Sequence, residues 1–125
     1  MAACVRFAAV EGGVSFDAFG GAIGDVAVDA TAFPWRSALA DVQYTAAWPY
    51  ARADTDPAPF DDFVRSERAA LRPWLGDSAY VNYADRTLAD YATAYWGPNF
   101  PRLSMIKKRY DPSDVFSFPQ SVPVP

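Results

Sequence analysis

Leu39-Ala40-Asp41-Val42-Gln43-Tyr44-Thr45-Ala46-Ala47-Trp48 is the stretch on which the fold turns. Successive side chains of a strand point to opposite faces. The even positions here are Ala40, Val42, Tyr44, Ala46 and Trp48, and the odd ones are Asp41, Gln43, Thr45 and Ala47. One face is apolar and the other largely polar. Such a strand suits an antiparallel sheet with one wet face. The other reading is a strand whose polar face lines a ligand site.

Upstream, Val5, Phe7 and Ala9 alternate as far as Gly12-Gly13, and Val14, Phe16 and Ala18 as far as Gly20-Gly21. Paired glycines after alternating runs predict turns or bulges. Ile23 to Val28 can form a further strand before Pro34 interrupts the chain. Downstream, residues 49–59 read as a loop rich in Pro, Asp and Ala. A helix follows, with Phe60, Phe63, Val64, Leu71, Trp74 and Leu75 at three- and four-residue steps. Thr55 or Asp56 caps its start, and Gly76 suits its stop. Tyr80-Val81-Asn82-Tyr83 reads as a short extended stretch. A second helix is expected from about Leu88 to Trp96, capped by Asp85 or Thr87 and stopped by Gly97. A third begins near Pro101, carries Leu103, Ile106 and Tyr110 on one side, and ends at Asp111-Pro112. The tail from Val115 should run extended over a surface. Strands first and helices later predict an α+β fold, with an antiparallel sheet from the N-terminal half and helices from the C-terminal half packed on one face. The chain reads as a single partial domain, with strands in residues 1–50 and a helical segment in residues 60–125.

The 125 residues suffice for one modest core, and 51% apolar with 21% charged residues fits a globular chain. A net charge of −4 argues against nucleic acid. Lys107, Lys108 and Arg109 form the one basic cluster and read as a solvated face. The chain has one cysteine, Cys4, and no histidine. That excludes an internal disulfide and any nucleophile built on Ser-His-Asp or Cys-His within this chain, and no metal site is expected. Proton transfer must then use Tyr, Asp, Glu, Lys, Arg or water. No run approaches the roughly 20 apolar residues of a membrane span. Met1 to Val10 reads better as a strand than as a leader, so a cytoplasmic location is expected.

The second half carries an ordered pattern: Tyr80-Val81-Asn82-Tyr83, Tyr95-Trp96-Gly97, Asn99, Pro101-Arg102-Leu103, Lys107, Tyr110-Asp111-Pro112, Val115-Phe116 and Gln120-Ser121. This resembles the C-terminal signature of the berberine-bridge-enzyme family of FAD-linked oxidoreductases. Gly20-Gly21-Ala22-Ile23, Thr31-Ala32-Phe33-Pro34-Trp35-Arg36 and Tyr44-Thr45-Ala46-Ala47-Trp48 also look like the strands of that family's substrate domain. The pattern departs at Trp35, where the family often has His. By this resemblance the chain corresponds to roughly the last quarter of a complete flavoenzyme.

The resemblance implies FAD as cofactor, with most of its binding site outside this chain. It also implies a flavin-binding N-terminal domain or chain as partner, and a small-molecule substrate: an alcohol, a sugar or a secondary metabolite. Tyr83 matches the family's catalytic tyrosine. Tyr80 and Asn82 match positions that contact flavin or shape the substrate site. The resemblance sets the strand of Asp41, Gln43 and Thr45 in the active-site wall. By their own chemistry, Asp41 can act there as a second acid/base or orient a substrate hydroxyl, Gln43 can donate to a phenolate, and Gln43 and Thr45 are the candidate substrate contacts. Free tyrosine sits near pKa 10, so a tyrosine base needs its phenolate stabilised. Strand alternation would set Tyr80 and Asn82 on one side and Tyr83 on the other, unless the backbone is irregular there. A chain of this kind alone should expose apolar surface, which leaves a homo-oligomer open. The competing readings are a flavin-free binding or interaction module and an inactive remnant.

Overall fold

The computed structural model describes residues 10–48 and 55–125. The run Val5 to Ala9 and Cys4 lie outside these residues, as does most of the loop expected over residues 49–59. The chain divides into two compact units. The first takes residues up to Ala18 and Ala40–Gly76, and the second takes Phe19–Leu39 and Asp77–Pro125.

In the first unit, strands β1 (Glu11–Ala18) and β2 (Ala40–Ala47) pair antiparallel, with Gly13 opposite Thr45, Ser15 opposite Gln43 and Asp17 opposite Asp41. Strand β2 is the alternating stretch read above. Gly12 and Gly13, expected to form a turn or a bulge, lie in regular register inside β1 instead. The reason is a long-range approach. A Cβ on Gly12 would stand 2.4 Å from the Phe63 ring and 2.7 Å from the Thr45 carbonyl oxygen, whereas one on Gly13 would meet nothing.

Phe63 belongs to helix α1 (Ala58–Leu75), so the even face of the sheet receives this helix. Trp48 continues that contact against Phe60, with ring centroids 4.9 Å apart. Asp56 Oδ1 accepts the Ala58 N–H at 3.0 Å, one of the expected caps. Gly76 ends the helix at φ 74, a left-handed value that glycine adopts without a Cβ clash. Sheet and helices together make the fold α+β, as expected.

In the second unit, Gly21–Ile23 forms a 3-10 turn followed by irregular chain, not the strand expected over Ile23 to Val28. Helix α2 is shorter than expected, Tyr91–Trp96, and Asp90 precedes it without a side-chain cap bond. Asp85 instead accepts the N–H and the hydroxyl of Thr87, at 2.8 and 2.6 Å, and holds a separate turn. Gly97 stops α2 at φ 44, and a Cβ there would lie 2.8 Å from Trp35 Cη2. A 3-10 turn (Gly97–Asn99) then leads into helix α3 (Phe100–Tyr110).

The core of this unit is aromatic. Ala94, Tyr95 and Trp96 are buried, and Tyr95 is only 2% exposed. Trp96 stacks on Phe100 at 6.1 Å and meets Tyr91 and Tyr95 edge-on. Buried Asn99 donates both its N–H groups, to the carbonyls of Val28 at 2.7 Å and Thr31 at 3.0 Å. The side of α3 expected to be apolar is only partly covered: Leu103 is half-buried, Ile106 and Tyr110 are exposed, and the buried residue is Ser104.

Lys107 does not join a solvated face. Its side chain is 13% exposed and donates to Asp111, to Asp114 Oδ1 at 2.9 Å and to the Phe116 carbonyl at 2.7 Å. Asp111 also accepts the N–H groups of Val115 and Phe116. The Lys107 ammonium holds the Asp111 carboxyl below its ordinary value, and the hydrogen bond to Asp111 pushes the Lys107 amine up. Lys108 and Arg109 remain exposed.

Candidate functional site

Tyr80, Val81, Asn82 and Tyr83 form a turn rather than an extended stretch. Its closing bond runs from the Tyr83 N–H to the Tyr80 carbonyl at 3.0 Å. That bond removes the strand alternation that would have parted the two tyrosines. Their rings meet edge-to-face, with centroids 5.5 Å apart and planes at 87°. Asn82 Nδ2 donates to the Tyr80 hydroxyl at 2.7 Å. The turn therefore brings Tyr80, Asn82 and Tyr83 into one cluster.

Tyr80 is the hub. It also makes edge-to-face contacts with Phe33 at 5.7 Å and Phe19 at 6.2 Å. Arg36 fixes Phe33 in turn. Its guanidinium lies 5.1 Å from the ring centroid and donates to the Phe33 carbonyl at 3.1 Å and to Thr31 Oγ1 at 2.6 Å. Sequence reasoning missed Phe19 and Phe33 as supports, because side chains so distant in sequence meet only in the fold.

Tyr83 is 51% exposed, and among the described residues its hydroxyl makes no hydrogen bond. It is therefore neither a core tyrosine nor a satisfied one. With its hydroxyl engaged as acceptor by Asn82, Tyr80 has its own proton to donate elsewhere. Asn82 retains its carbonyl oxygen and a second N–H.

Asp41, Gln43 and Thr45 lie in the first unit, on the face of β2 turned away from α1, with Ser15 and Asp17 beside them on β1. Thr45 Oγ1 donates to the Gly13 carbonyl at 3.4 Å, and Ser15 Oγ to Gln43 Oε1 at 3.5 Å, both at the long limit. Asp41 Oδ2 is shielded from solvent and has no partner among the described residues. Burial pushes its carboxyl above the ordinary value, and the facing Asp17 adds to the effect. Tyr44, on the opposite face, has its phenol pushed up by burial and is poorly suited to accept a proton near neutral pH.

Residues 79–123 match the family model described as berberine and berberine like. The chain is related to the FAD-linked oxidoreductases of that family. The FAD-linked oxidoreductase YvdP of Bacillus subtilis is 40% identical over 90% of this chain and 24% of its own length. Two solved structures align closely. Berberine bridge enzyme-like 28 from Arabidopsis thaliana aligns at a TM-score of 0.79 and 28% identity over 90% of this chain and 27% of its own. A glycopeptide hexose oxidase complexed with teicoplanin aligns at 0.77 and 30% identity over 89% and 25%. The chain thus spans about a quarter of the length of the curated relatives it matches. The expected kinship with the berberine-bridge family holds. It extends beyond the matched segment, because these alignments cover most of the chain.

Proposed function

We propose that this chain is the C-terminal substrate-domain part of an FAD-dependent oxidoreductase, acting with a flavin-binding N-terminal part on an alcohol, a sugar or a secondary metabolite. The carrying observation is Tyr83: a half-exposed phenol with no hydrogen-bond partner among the described residues, on a turn fixed by a neighbouring ring. Its relatives are FAD-linked, and one aligned structure is a hexose oxidase seen with a glycopeptide.

The side chains present fit a flavin. Asn82 keeps a donor and an acceptor for the polar edge of a flat ring, and Tyr80 keeps a hydroxyl proton beside it. In this reading those two residues contact the cofactor. Bound FAD supplies the acceptor for the hydride that leaves the substrate carbon. Tyr83 takes the proton from the substrate hydroxyl, which keeps charge from building on the substrate. A base of this kind works near neutral pH only where donors or positive charge stabilise the phenolate, and a bound substrate or the flavin-binding part can provide them. Asp41 serves as a second acid/base. Its raised carboxyl is closer to a useful range than an ordinary aspartate, and Oδ2 has no partner among the described residues. Gln43 and Thr45 offer an amide and a hydroxyl to substrate oxygens.

The test is flavin reduction in the chain joined to its flavin-binding part. Replacing Tyr83 with Phe should slow reduction by on the order of 10²- to 10⁴-fold and change the substrate Kd little. Equal reduction rates in Tyr83→Phe and the parent would remove Tyr83 as the base.

A further inference from the structure

We propose that Gln120 and Tyr95 are positioning residues for Tyr83, clamping the backbone two residues beyond it. The inference rests on the reading of Tyr83 as a base. The clamp grips both polar groups of one peptide position. The Asp85 N–H donates to the Tyr95 hydroxyl at 2.8 Å, and Gln120 Nε2 donates to the Asp85 carbonyl at 2.8 Å. The two side chains also bond each other, with the Tyr95 hydroxyl offering its proton to Gln120 Oε1 at 3.2 Å. Its longer alternative is the Asp85 carbonyl at 3.4 Å. Gln120 Nε2 reaches the Leu88 carbonyl as well, at 3.4 Å.

The backbone of Gln120 marks this arrangement as more than incidental. Its φ is +66, a left-handed conformation that glycine and asparagine adopt readily and that glutamine, with its Cβ, adopts at a cost. Glycine would serve the turn better, yet it has no amide to offer Asp85 and Tyr95. Strain held by several surrounding bonds is a pattern that clusters at functional positions. The tail is anchored next door, where the Tyr91 hydroxyl donates to the Ser121 carbonyl at 3.1 Å. Upstream of the turn, the Ala79 N–H donates to the Ala94 carbonyl at 2.9 Å. The segment bearing Tyr83 is thus pinned on both sides while the phenol itself stays half-exposed. Fixing the backbone so that a reacting group meets its substrate without reorganisation is how a scaffold pre-organises a site.

Two variants separate strain from positioning. Gln120→Gly removes the amide but relieves the left-handed backbone. Gln120→Glu keeps an acceptor for Tyr95 and loses the donor to Asp85. In the chain itself, both should speed hydrogen exchange at the Asp85 amide, and Gln120→Gly should melt near the parent temperature. In the assembled flavoprotein, both should slow flavin reduction by on the order of 10- to 100-fold, with KM much less affected. Parent-like reduction rates in a folded Gln120 variant, alongside a slow Tyr83→Phe control, would show the clamp to be merely structural and overturn the proposal while sparing the base. If Tyr83→Phe itself reduces flavin at the parent rate, the base is lost and nothing is left to position.

Discussion

The two units solve the same problem in different ways. In the first, a two-stranded sheet and helix α1 meet through partly covered residues, and neither strand nor helix contains a buried residue. In the second, Tyr95, Trp96, Asn99 and Ser104 are buried, and Tyr95 and Asn99 have named hydrogen-bond partners. A two-stranded sheet is marginal in water without more strands or a covering helix. A packed aromatic centre whose Tyr95 and Asn99 are hydrogen-bonded holds one arrangement more firmly, although the Trp35 Nε1–H in the same unit is buried without a partner among the described residues. The turn of Tyr83 is therefore built on the firmer unit, and the polar strand of Asp41 on the thinner one.

This contrast can be broken most forcefully at Tyr95. Tyr95→Ala should cost about 3–5 kcal/mol in chemical denaturation, as for other large buried aromatics. A loss under about 1 kcal/mol would mean that this centre does not hold the unit. Asn99→Ala should follow at about 2 kcal/mol, because two carbonyls lose their donor. In the first unit, the matched pair Gly12→Ala and Gly13→Ala sharpens the picture. The first should cost about 1–3 kcal/mol by pushing Phe63 and the Thr45 carbonyl away, and the second should stay within about 0.5 kcal/mol. Equal costs would contradict the approach of α1 to β1.

The smallest effect is a difference in pH dependence. The lowered Asp111 carboxyl contributes stability that is complete above its unfolded value, near pH 4, and fades as pH falls through the folded value. Asp41 acts in the opposite sense. Its carboxyl is raised in the fold, so the folded state loses stability as pH climbs from about 4 through that raised value. Asp41→Asn should therefore exceed the parent in melting temperature at about pH 7 and match it at about pH 3. Asp111→Asn should fall below the parent at about pH 7, the gap closing in acid. Gaps of the same sign in both variants would refute the assignment.

Much of the fold was legible because local periodicity and burial agreed. Strand β2, helix α1 with its Gly76 stop and helix α3 all follow from patterns within one window of sequence. The errors came where a distant contact decides. Gly12-Gly13 reads as a turn until Phe63 is seen beside it. Tyr80 to Tyr83 alternates like a strand, yet closes a turn that the aromatic hub favours. Lys107 reads as one of three solvated cations until Asp111 and Asp114 fold back over it. The candidate site was legible only through resemblance: nothing in the spacing of Tyr80, Asn82 and Tyr83 announces a cluster. Gln120 appeared in the family pattern, but its left-handed backbone and its reach to Asp85 leave no trace in periodicity.

The crowding of Gly97 against Trp35 couples two positions that are distant in sequence. A side chain can enter at 97 only after the indole at 35 has given way, and even then the left-handed backbone strains any residue that carries a Cβ. Trimming Trp35 alone would open a hollow beneath the glycine. The two sites should thus behave as mutual suppressors: substitutions harmful one at a time, and less harmful made together.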